Sequence, residues 1–364
     1  MERKIGSPDL KLPMIGYCST AGPGNKISLI LVPLMATAGV SVLLLPLLTE
    51  GITLRKFESI LGVKTSLSRE KFQEQLLKAG GIIASLIEAP ASSRQEDYCI
   101  DPPSVSGLGL AEIEGLFSSQ KMARGIQGIV FDIKVGEGSF LKNRQEARIL
   151  ASGLEGVCHR LGIRSSFLLS NLDQPLGISI GNSLEVREAI NVLQGSGPLD
   201  VLKLSLELGS EILLLAKKFK IKTVAKSFLK RKIEQCKALQ KFEDIIKAQG
   251  GNPILVTNDF LFPKAKLRRK VYSIEKGYLH RIKMEEINDL WKEFSASQQE
   301  RDESGFLIFK KIGDKIDKDE TIAEVHLDKP VLFPEVKRRL RETFVLSKTP
   351  PDFKPFIIES IRKN

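Results

Sequence analysis

The feature that most constrains this chain is an uncharged apolar segment near its beginning. Residues 27–49 contain no Asp, Glu, Lys or Arg, and a membrane-spanning helix needs about 20 apolar residues. However, Pro33 and Pro46 interrupt the segment, and Gly39 is typical of a helix end that precedes a strand. Residues 1–25 contain Lys, Asp and Pro instead of the apolar core of a signal sequence. We therefore predict a buried helix followed by a buried strand, and no membrane partner.

The composition narrows the classes of function. Of 364 residues, 42% are hydrophobic and 27% are charged, which is enough for a large core. Four Cys without a CxxC pair and three His give no recognisable zinc site, and we expect reduced thiols and a cytoplasmic location. The net charge of +11 permits anionic partners. The densest basic segment, 217–241, has only Phe219 and Phe228 as aromatic residues, so we interpret it as a solvated helix surface and expect no nucleic-acid partner.

Strand-like and helical segments alternate in the first half of the chain. Apolar runs predict buried strands at Val40–Leu45, Gly81–Ile87, Gly128–Val135 and Ser166–Leu172. Helical periodicity is found at Ser66–Ala79, Leu141–Leu161, Ser183–Leu193, Pro198–Phe219 and Lys226–Ala248. This alternation predicts an α/β fold with a mixed, mainly parallel sheet flanked by helices. Past a linker at 252–266, antiparallel strands are expected, so we predict an α/β domain at 1–265 and a C-terminal α+β domain at 266–364.

A glycine-containing segment precedes the first predicted helix. Ser19 and Thr20 come just before Gly22 and Gly24, and an apolar helical run starts near Ser28. Small residues let backbone N–H groups approach an anion, and a helix N-terminus adds partial positive charge. The three hydroxyl groups can donate hydrogen bonds to phosphate oxygens. The segment is a candidate phosphate site, although the same pattern is also typical of a simple helix cap.

Two further loops follow predicted strands. Residues 131–140 (FDIKVGEGSF) run from a strand into a turn with two glycines. Residues 173–182 (DQPLGISIGN) lead into a helix that carries Glu185 and Glu188. Carbonyl oxygens of the second loop and one carboxylate could coordinate a hard cation. The alternative for both segments is a plain strand-to-helix connection.

Taken together, these segments resemble the pyrimidine-nucleoside phosphorylase and thymidine phosphorylase family. That family carries a KHSTGGVGDK-like phosphate loop, a DVKVGSGAF-like turn and a DQPLG-x₃-GN-x-LEV-x-EAI run. The matching sequences here are YCSTAGPGNK from Tyr17, FDIKVGEGSF from Phe131 and DQPLGISIGNSLEVREAI from Asp173. TLRKFESILG from Thr53 and GFLIFKKIGDKIDKDETIAEVH from Gly305 are also similar. The resemblance extends over residues 14–326.

The resemblance implies phosphorolysis, in which phosphate attacks the anomeric carbon of a pyrimidine nucleoside and releases the base and a sugar 1-phosphate. It implies a pentosyltransferase without an organic cofactor, with a helical domain that binds the base and an α/β domain that binds phosphate. Family members are typically dimers through the helical domain. Few residues precede Tyr17 here, so the resemblance implies a reduced helical subdomain, with a remnant at about 95–125, and a weakened homodimer.

The family's phosphate-binding residues are only partly retained. Its Lys-His-Ser falls on Tyr17, Cys18 and Ser19, so the lysine is lost and the serine is kept. A further hydroxyl of the family matches Ser28, and the threonine that ends its glycine-rich loop matches Thr53. That loop is leucine-rich in this chain, which removes N–H groups and flexibility from the anion site.

The base-binding residues are altered, whereas the cation ligands are better retained. An arginine of the family falls on Asp101, and a serine and a lysine fall on Leu116 and Gln120, although a shift of one residue would place Lys121 there. The resemblance implies a potassium-type cation, held mostly by backbone carbonyls and a carboxylate, at the following positions: Gly24, Lys26, Leu176, Ser179 and Glu188. Two hypotheses remain open: a phosphorylase with an altered site, or a catalytically degenerate homologue with a binding or structural role.

Overall fold

The computed structural model describes residues 12–20, 22, 24–45, 50–86, 113–115, 117–118, 125–258, 261–262, 264–296, 304–352 and 354–363. Most of the predicted remnant at 95–125 lies outside these residues.

The described elements alternate as the sequence predicts. The strands are β1 (Met14–Ser19), β2 (Ser41–Leu44), β3 (Ser66–Leu67), β4 (Ser85–Leu86), β5 (Gly128–Val135), β6 (Arg164–Asn171), β7 (Ser179–Ile180), β8 (Leu267–Tyr272), β9 (Gly277–Ile282), β10 (Gly305–Ile308), β11 (Lys315–Ile316), β12 (Thr321–Leu327), β13 (Phe344–Ser347) and β14 (Ile357–Lys363). The helices are α1 (Ile27–Ala36), α2 (Glu50–Glu58), α3 (Arg69–Ala79), α4 (Arg144–Arg160), α5 (Asn182–Leu193), α6 (Leu199–Leu215), α7 (Lys222–Glu234), α8 (Lys237–Ala248), α9 (Met284–Ala296) and α10 (Phe333–Glu342).

The central sheet has five strands in the order β14-β6-β5-β1-β2. The pairs β1–β2, β1–β5 and β5–β6 are parallel, and β14 joins β6 antiparallel. The predicted mixed, mainly parallel sheet is therefore confirmed. Helices cover both faces, which explains why β5 is apolar along most of its length.

The uncharged segment near the beginning forms a buried helix and a buried strand. α1 packs almost all of its side chains inside the protein, and β2 follows it through a turn in which Gly39 has φ +66°. Among the described residues, no helix has the length and apolar character needed to cross a membrane. The segment is apolar because α1 lies between the sheet and further helices rather than at the surface.

Side chains of the central strands alternate between two cores. On β5, Val130 belongs to the core shared with α1, α5, α6, α7 and α8, whereas Ile129 and Phe131 belong to the core shared with α3 and α4. Because the side-chain period of a strand is two, Asp132 and Lys134 point to the same face as Val130. Because of this alternation, the polar side chains of Asp132 and Lys134 lie on the face of the sheet that packs against α1.

The C-terminal part contains two antiparallel sheets with α9 and α10. Their strand orders are β7-β10-β12-β8 and β11-β9-β13. Two strands cross the predicted division at residue 266: β7 pairs with β10 of the second part, and β14 pairs with β6 of the first. The division itself stays a prediction, but the two parts share backbone hydrogen bonds on both sides of it.

Several element boundaries differ from the predicted ones. Ser68 accepts a hydrogen bond from Lys71 N–H as the N-cap of α3, so the helix begins three residues after Ser66. The predicted helix at 226–248 is two helices, because Cys236 adopts a left-handed conformation with φ +55° between α7 and α8. β1 was not predicted as a strand, since its sequence MIGYCS mixes apolar with small polar residues.

A buried carboxylate, that of Glu211, links the last strand, β14, to β6 and α6. Glu211 of α6 accepts hydrogen bonds from Ser166 of β6 at 2.9 Å and from Arg362 of β14 at 2.6 Å, and forms an ion pair with Lys222 at 2.6 Å. Burial acts to raise the pKa of Glu211, but hydrogen bonds from Lys222 and Arg362 outweigh it, and the net pKa is lowered. The stabilisation by this carboxylate is therefore complete above its unfolded pKa of about 4.3 and is lost as the pH falls through the lowered value.

We expect Glu211→Gln to lower the free energy of unfolding at pH 7 by about 2 kcal/mol, because charged hydrogen bonds are replaced by weaker neutral ones. Urea unfolding should show the difference from wild type narrowing as the pH falls below the unfolded pKa of about 4.3, because the unfolded state then takes up a proton before Glu211 does in the folded state. The control is Glu342→Gln, which removes the exposed pair with Arg338 and should change the free energy by less than about 0.5 kcal/mol. A constant difference between pH 7 and pH 3 would contradict this assignment.

Candidate functional site

Polar side chains meet at the carboxyl ends of β1, β5 and β6. The register pairs Ser19 with Asp132, and Lys134 with Ser170, on one face of the sheet. In open parallel sheets, ligands bind outside this edge. The candidate site therefore begins where β1 ends and the turn toward α1 starts.

Asp132 is the centre of a buried hydrogen-bonded cluster. Its Oδ2 accepts a hydrogen bond from the Tyr17 hydroxyl at 2.9 Å and lies 2.7 Å from Lys134 Nζ. Its Oδ1 accepts from Ser170 Oγ at 3.2 Å, and Ser170 Oγ also accepts from Lys134 Nζ at 3.2 Å. Asp132 and Lys134 are almost fully buried. The lysine charge is thus balanced by a carboxylate of the same strand.

Tyr17, where the resemblance places a lysine of the family, is a neutral donor to this cluster. Burial raises the pKa of its hydroxyl well above the ordinary value, and the Asp132 carboxylate raises it further. The phenol therefore keeps its proton and donates it in the hydrogen bond to Asp132. A cation at this position would be a second positive charge, besides that of Lys134, next to the same carboxylate.

Two of the four predicted phosphate ligands lie together at the end of β1. Ser19 is buried, and its Oγ accepts a hydrogen bond from Asn25 Nδ2 at 3.0 Å. Thr20 Oγ1 accepts from the Lys134 backbone N–H at 2.8 Å, which leaves the hydroxyl proton for another acceptor. The structure thus joins the beginning of the turn both to β5 and to Asn25.

The other two predicted phosphate ligands lie on neighbouring helices. Ser28 is in the first turn of α1 and Thr53 is in α2, and these two helices contact each other. Both side chains are buried. α1 begins after Lys26 without a side-chain cap, so the partial positive charge of its N-terminus is not offset by a capping side chain.

Three of the five predicted cation ligands, Leu176, Ser179 and Glu188, converge on the ammonium of a fourth, Lys26. Lys26 Nζ donates to Leu176 O at 3.0 Å, to Ser179 O at 3.1 Å and to a carboxylate oxygen of Glu188. Gly24, with φ +81°, approaches so closely that a Cβ there would lie 2.8 Å from Leu176 O. The residues present therefore fit an ammonium of this chain rather than a separate metal ion.

Two more lysines hold the same region, and sequence analysis missed both. Lys56 Nζ donates to Asn25 O at 2.8 Å and to Glu185 at 2.6 Å. Lys311 Nζ donates to Pro175 O and Gly177 O, both at 2.6 Å, and lies 3.1 Å from Asp200. Burial lowers the pKa of both ammonium groups, and the paired carboxylates offset part of this effect. No spacing in the sequence signals these pairs, because their members are far apart along the chain.

The predicted base-side residues lie outside the described residues, namely Asp101, Leu116, Gln120 and Lys121. Part of the leucine-rich loop, 46–49, also lies outside them. Leu45, at its beginning, is buried against β1, where a Cβ on Gly16 would lie 2.6 Å from Leu45 Cδ1.

The Asp132 cluster makes a prediction about stability. We expect Asp132→Asn to lower the free energy of unfolding by about 3 kcal/mol, because it leaves the Lys134 ammonium buried without its counter-charge. The double variant Asp132→Asn, Lys134→Met should recover part of this loss, which urea unfolding of the two single variants and the double variant would measure. Additive losses would show that the two charges do not interact.

Pyrimidine-nucleoside phosphorylases of several bacteria are similar in sequence to this chain. No family model matches it. The pyrimidine-nucleoside phosphorylase of Bacillus subtilis is 30% identical over 319 residues, which cover 85% of this chain and 74% of that protein. The pyrimidine-nucleoside phosphorylase of Staphylococcus epidermidis is 30% identical over 335 residues, which cover 89% and 76%. Among solved structures, anthranilate phosphoribosyltransferase from Thermus thermophilus aligns with a TM-score of 0.47 at 14% identity, over 65% of this chain and 78% of that one. The identity over most of both sequences shows that the chain belongs to the pyrimidine-nucleoside phosphorylase family.

Proposed function

We propose that this protein binds inorganic phosphate at the end of β1 and transfers the pentosyl group of a pyrimidine nucleoside to it. The observation that carries the proposal is the placement of the Ser19 and Thr20 hydroxyls at the carboxyl edge of the sheet, followed by the uncapped N-terminus of α1. Hydroxyl donors beside a helix N-terminus are suited to a phosphate dianion. Ser28 and Thr53 complete the proposed set of donors.

In the proposed reaction, a phosphate oxygen forms a bond to the anomeric carbon of the sugar while the bond from that carbon to the base nitrogen breaks. The bonding pair leaves with the base, which takes up the proton that the attacking hydrogen phosphate ion loses, and the products are the base and a sugar 1-phosphate. The donors at the end of β1 would position the attacking oxygen. The transfer is not a redox reaction and requires no organic cofactor.

The resemblance assigns binding of the base to the segment that includes Asp101, Leu116, Gln120 and Lys121, four residues that lie outside the described ones. A leaving pyrimidine gains negative charge in the transition state, so a cation there accelerates the reaction and an acid slows it. We therefore propose slow turnover of ordinary pyrimidine nucleosides, with Lys121 as the candidate donor. A cytoplasmic location and a homodimer stay predictions.

A second candidate function, binding without turnover, is favoured by the neutral Tyr17. Its hydroxyl is committed to Asp132, and Lys134 is paired with the same carboxylate. Neither residue therefore adds net positive charge toward a dianion. In this alternative, the protein would bind phosphate through hydroxyl and backbone donors but would not stabilise the transition state.

The test is phosphate-dependent release of uracil or thymine from uridine, deoxyuridine or thymidine by the purified protein, together with thermal unfolding in phosphate. Turnover that requires phosphate supports the first function. Thermal stabilisation by phosphate without turnover supports the second. If phosphate neither stabilises the protein nor supports release of a base, both are wrong.

We expect Ser19→Ala to weaken phosphate binding by roughly tenfold to a hundredfold, because it removes one hydrogen bond to a charged ligand. Titration calorimetry with phosphate would measure the change. The matched control is Ser205→Ala, which removes a buried hydroxyl bonded to Val201 O in α6 at 2.8 Å and should leave phosphate affinity unchanged. Equal effects of the two variants would place phosphate elsewhere.

Replacing the neutral phenol by a cation tests the role of Tyr17 directly. We expect Tyr17→Lys to tighten phosphate binding by roughly tenfold or more, because it adds positive charge beside the Ser19 hydroxyl. Tyr17→Phe, which only removes the hydrogen bond to Asp132, is the control and should not tighten binding. Calorimetry of both variants at two salt concentrations would also show whether the gain is electrostatic.

A further inference from the structure

The Lys26 side chain ends in a fully enclosed pocket of oxygen atoms. Its side chain has no exposed surface, and the paired Glu188 carboxyl is almost completely buried. Two of the oxygens are backbone carbonyls, of Leu176 and Ser179, and the third belongs to the carboxylate. Glu188 is itself oriented by the Ile178 N–H, which donates to its Oε1 at 2.9 Å.

This donor set is the kind that holds a monovalent metal cation. Backbone carbonyls that converge on one point replace the hydration shell of such an ion, and one carboxylate balances its single charge. A lysine ammonium is a compact group with the same single positive charge, and it has three donors for three oxygens. Lys26 occupies the N-cap position of α1 without a side-chain capping hydrogen bond, so its side chain is directed to these oxygens instead.

We infer that the Lys26 ammonium is a built-in replacement for a bound monovalent cation, and that this protein is independent of potassium. The potassium-type cation implied by the resemblance does not fit beside Lys26, because a second positive charge would share one carboxylate and two carbonyls that Nζ already binds. The inference concerns how the loop is held and does not depend on turnover of a nucleoside.

Because this positive charge belongs to the Lys26 side chain, the loop at 175–179 is held by the protein itself and not by a separate ion. A dissociable ion stabilises a fold to a degree set by its concentration, whereas a tethered ammonium is present in every molecule. Lys26 stands at the beginning of α1, and its bonds cross from there to the loop before α5. Lys311 binds further loop carbonyls from the C-terminal part. The loop is thereby fixed to two other segments without an ion that could leave.

The test compares thermal unfolding in KCl, NaCl and tetramethylammonium chloride at equal ionic strength. Wild type should give the same Tm in KCl and NaCl. Lys26→Ala empties the pocket, and in NaCl we expect its Tm to fall by roughly 5–10 °C. KCl should then restore at least half of that loss, and the large tetramethylammonium ion should restore none.

The matched control is Lys56→Ala, which removes a neighbouring buried ammonium whose partners among the described residues are one carbonyl, Asn25 O, and the Glu185 carboxylate. It should lower the Tm without selective recovery in KCl, because one carbonyl and one carboxylate do not surround an ion. The inference would be overturned if KCl raised the Tm of both variants equally. It would also be overturned if NaCl and KCl raised the Tm of Lys26→Ala equally, relative to its Tm in tetramethylammonium chloride.

Wild-type protein provides a readout that does not depend on the variant folding. Crystals grown in a rubidium salt should show no anomalous peak among the Leu176, Ser179 and Glu188 oxygens. Such a peak, or a higher wild-type Tm in KCl than in NaCl, would overturn the inference. If Lys26→Ala folds in KCl and not in NaCl, the result counts as recovery and supports it.

Discussion

The geometry of the candidate site depends on three ion pairs at the carboxyl edge of the sheet, of which two are buried and the third, Lys311 with Asp200, is half-buried. Lys26 with Glu188, Lys56 with Glu185, and Lys311 with Asp200 join the beginning of α1, α2 and the C-terminal part to the loop and helix after β6. A buried ion pair adds little net stability over an apolar pair, but removing one partner is strongly destabilising. These pairs therefore define the positions of their segments more than they stabilise the fold as a whole. The hydroxyls at the end of β1 are held within that frame, since Asn25 joins Ser19 to Lys56.

The sheet contributes the second part of the site through its alternation. Tyr17, Asp132 and Lys134 point to one face of the sheet. Asp132 and Lys134 lie two and four residues after Val130 on β5, and Tyr17 of β1 pairs in register with Val130. The result is a cluster whose hydrogen bonds are made mostly among its own members. A family site that depends on a lysine at the position of Tyr17 would have a surplus of positive charge here, whereas this cluster has none. Because the net charge of the cluster differs in this way, the two candidate functions are turnover of a nucleoside and binding of phosphate without turnover.

Sequence patterns predicted the elements better than the contacts between them. The buried runs at β5 and β6 and the helices from α4 to α6 were located within a few residues, because long periodic segments determine their own structure. The uncharged segment was correctly divided into a helix and a strand at Gly39, whereas Pro33, which was expected to interrupt the segment, lies inside α1. β1 was missed, since its small polar residues are needed at the site and dilute the apolar pattern. The convergence of Lys26, Leu176, Ser179 and Glu188 was expected from the resemblance alone, and only side-chain geometry shows that an ammonium fills their centre. Lys56 and Lys311 could not be predicted, because the carboxylates that pair with them lie more than a hundred positions away along the chain.

The return of β14 to the first sheet affects how the chain can be handled and how it can move. Because β14 pairs with β6, β6 is an interior strand of the sheet. Without β14, the backbone amides and carbonyls along that edge of β6 would be unpaired. Exposed strand edges of this kind promote self-association. β14 is therefore a protective element for β6, and removing or displacing it would expose that edge. Because β7 makes the reciprocal exchange, each part of the chain contributes one strand to a sheet of the other, so a rotation of one part against the other would have to carry these strands with it or break their pairing.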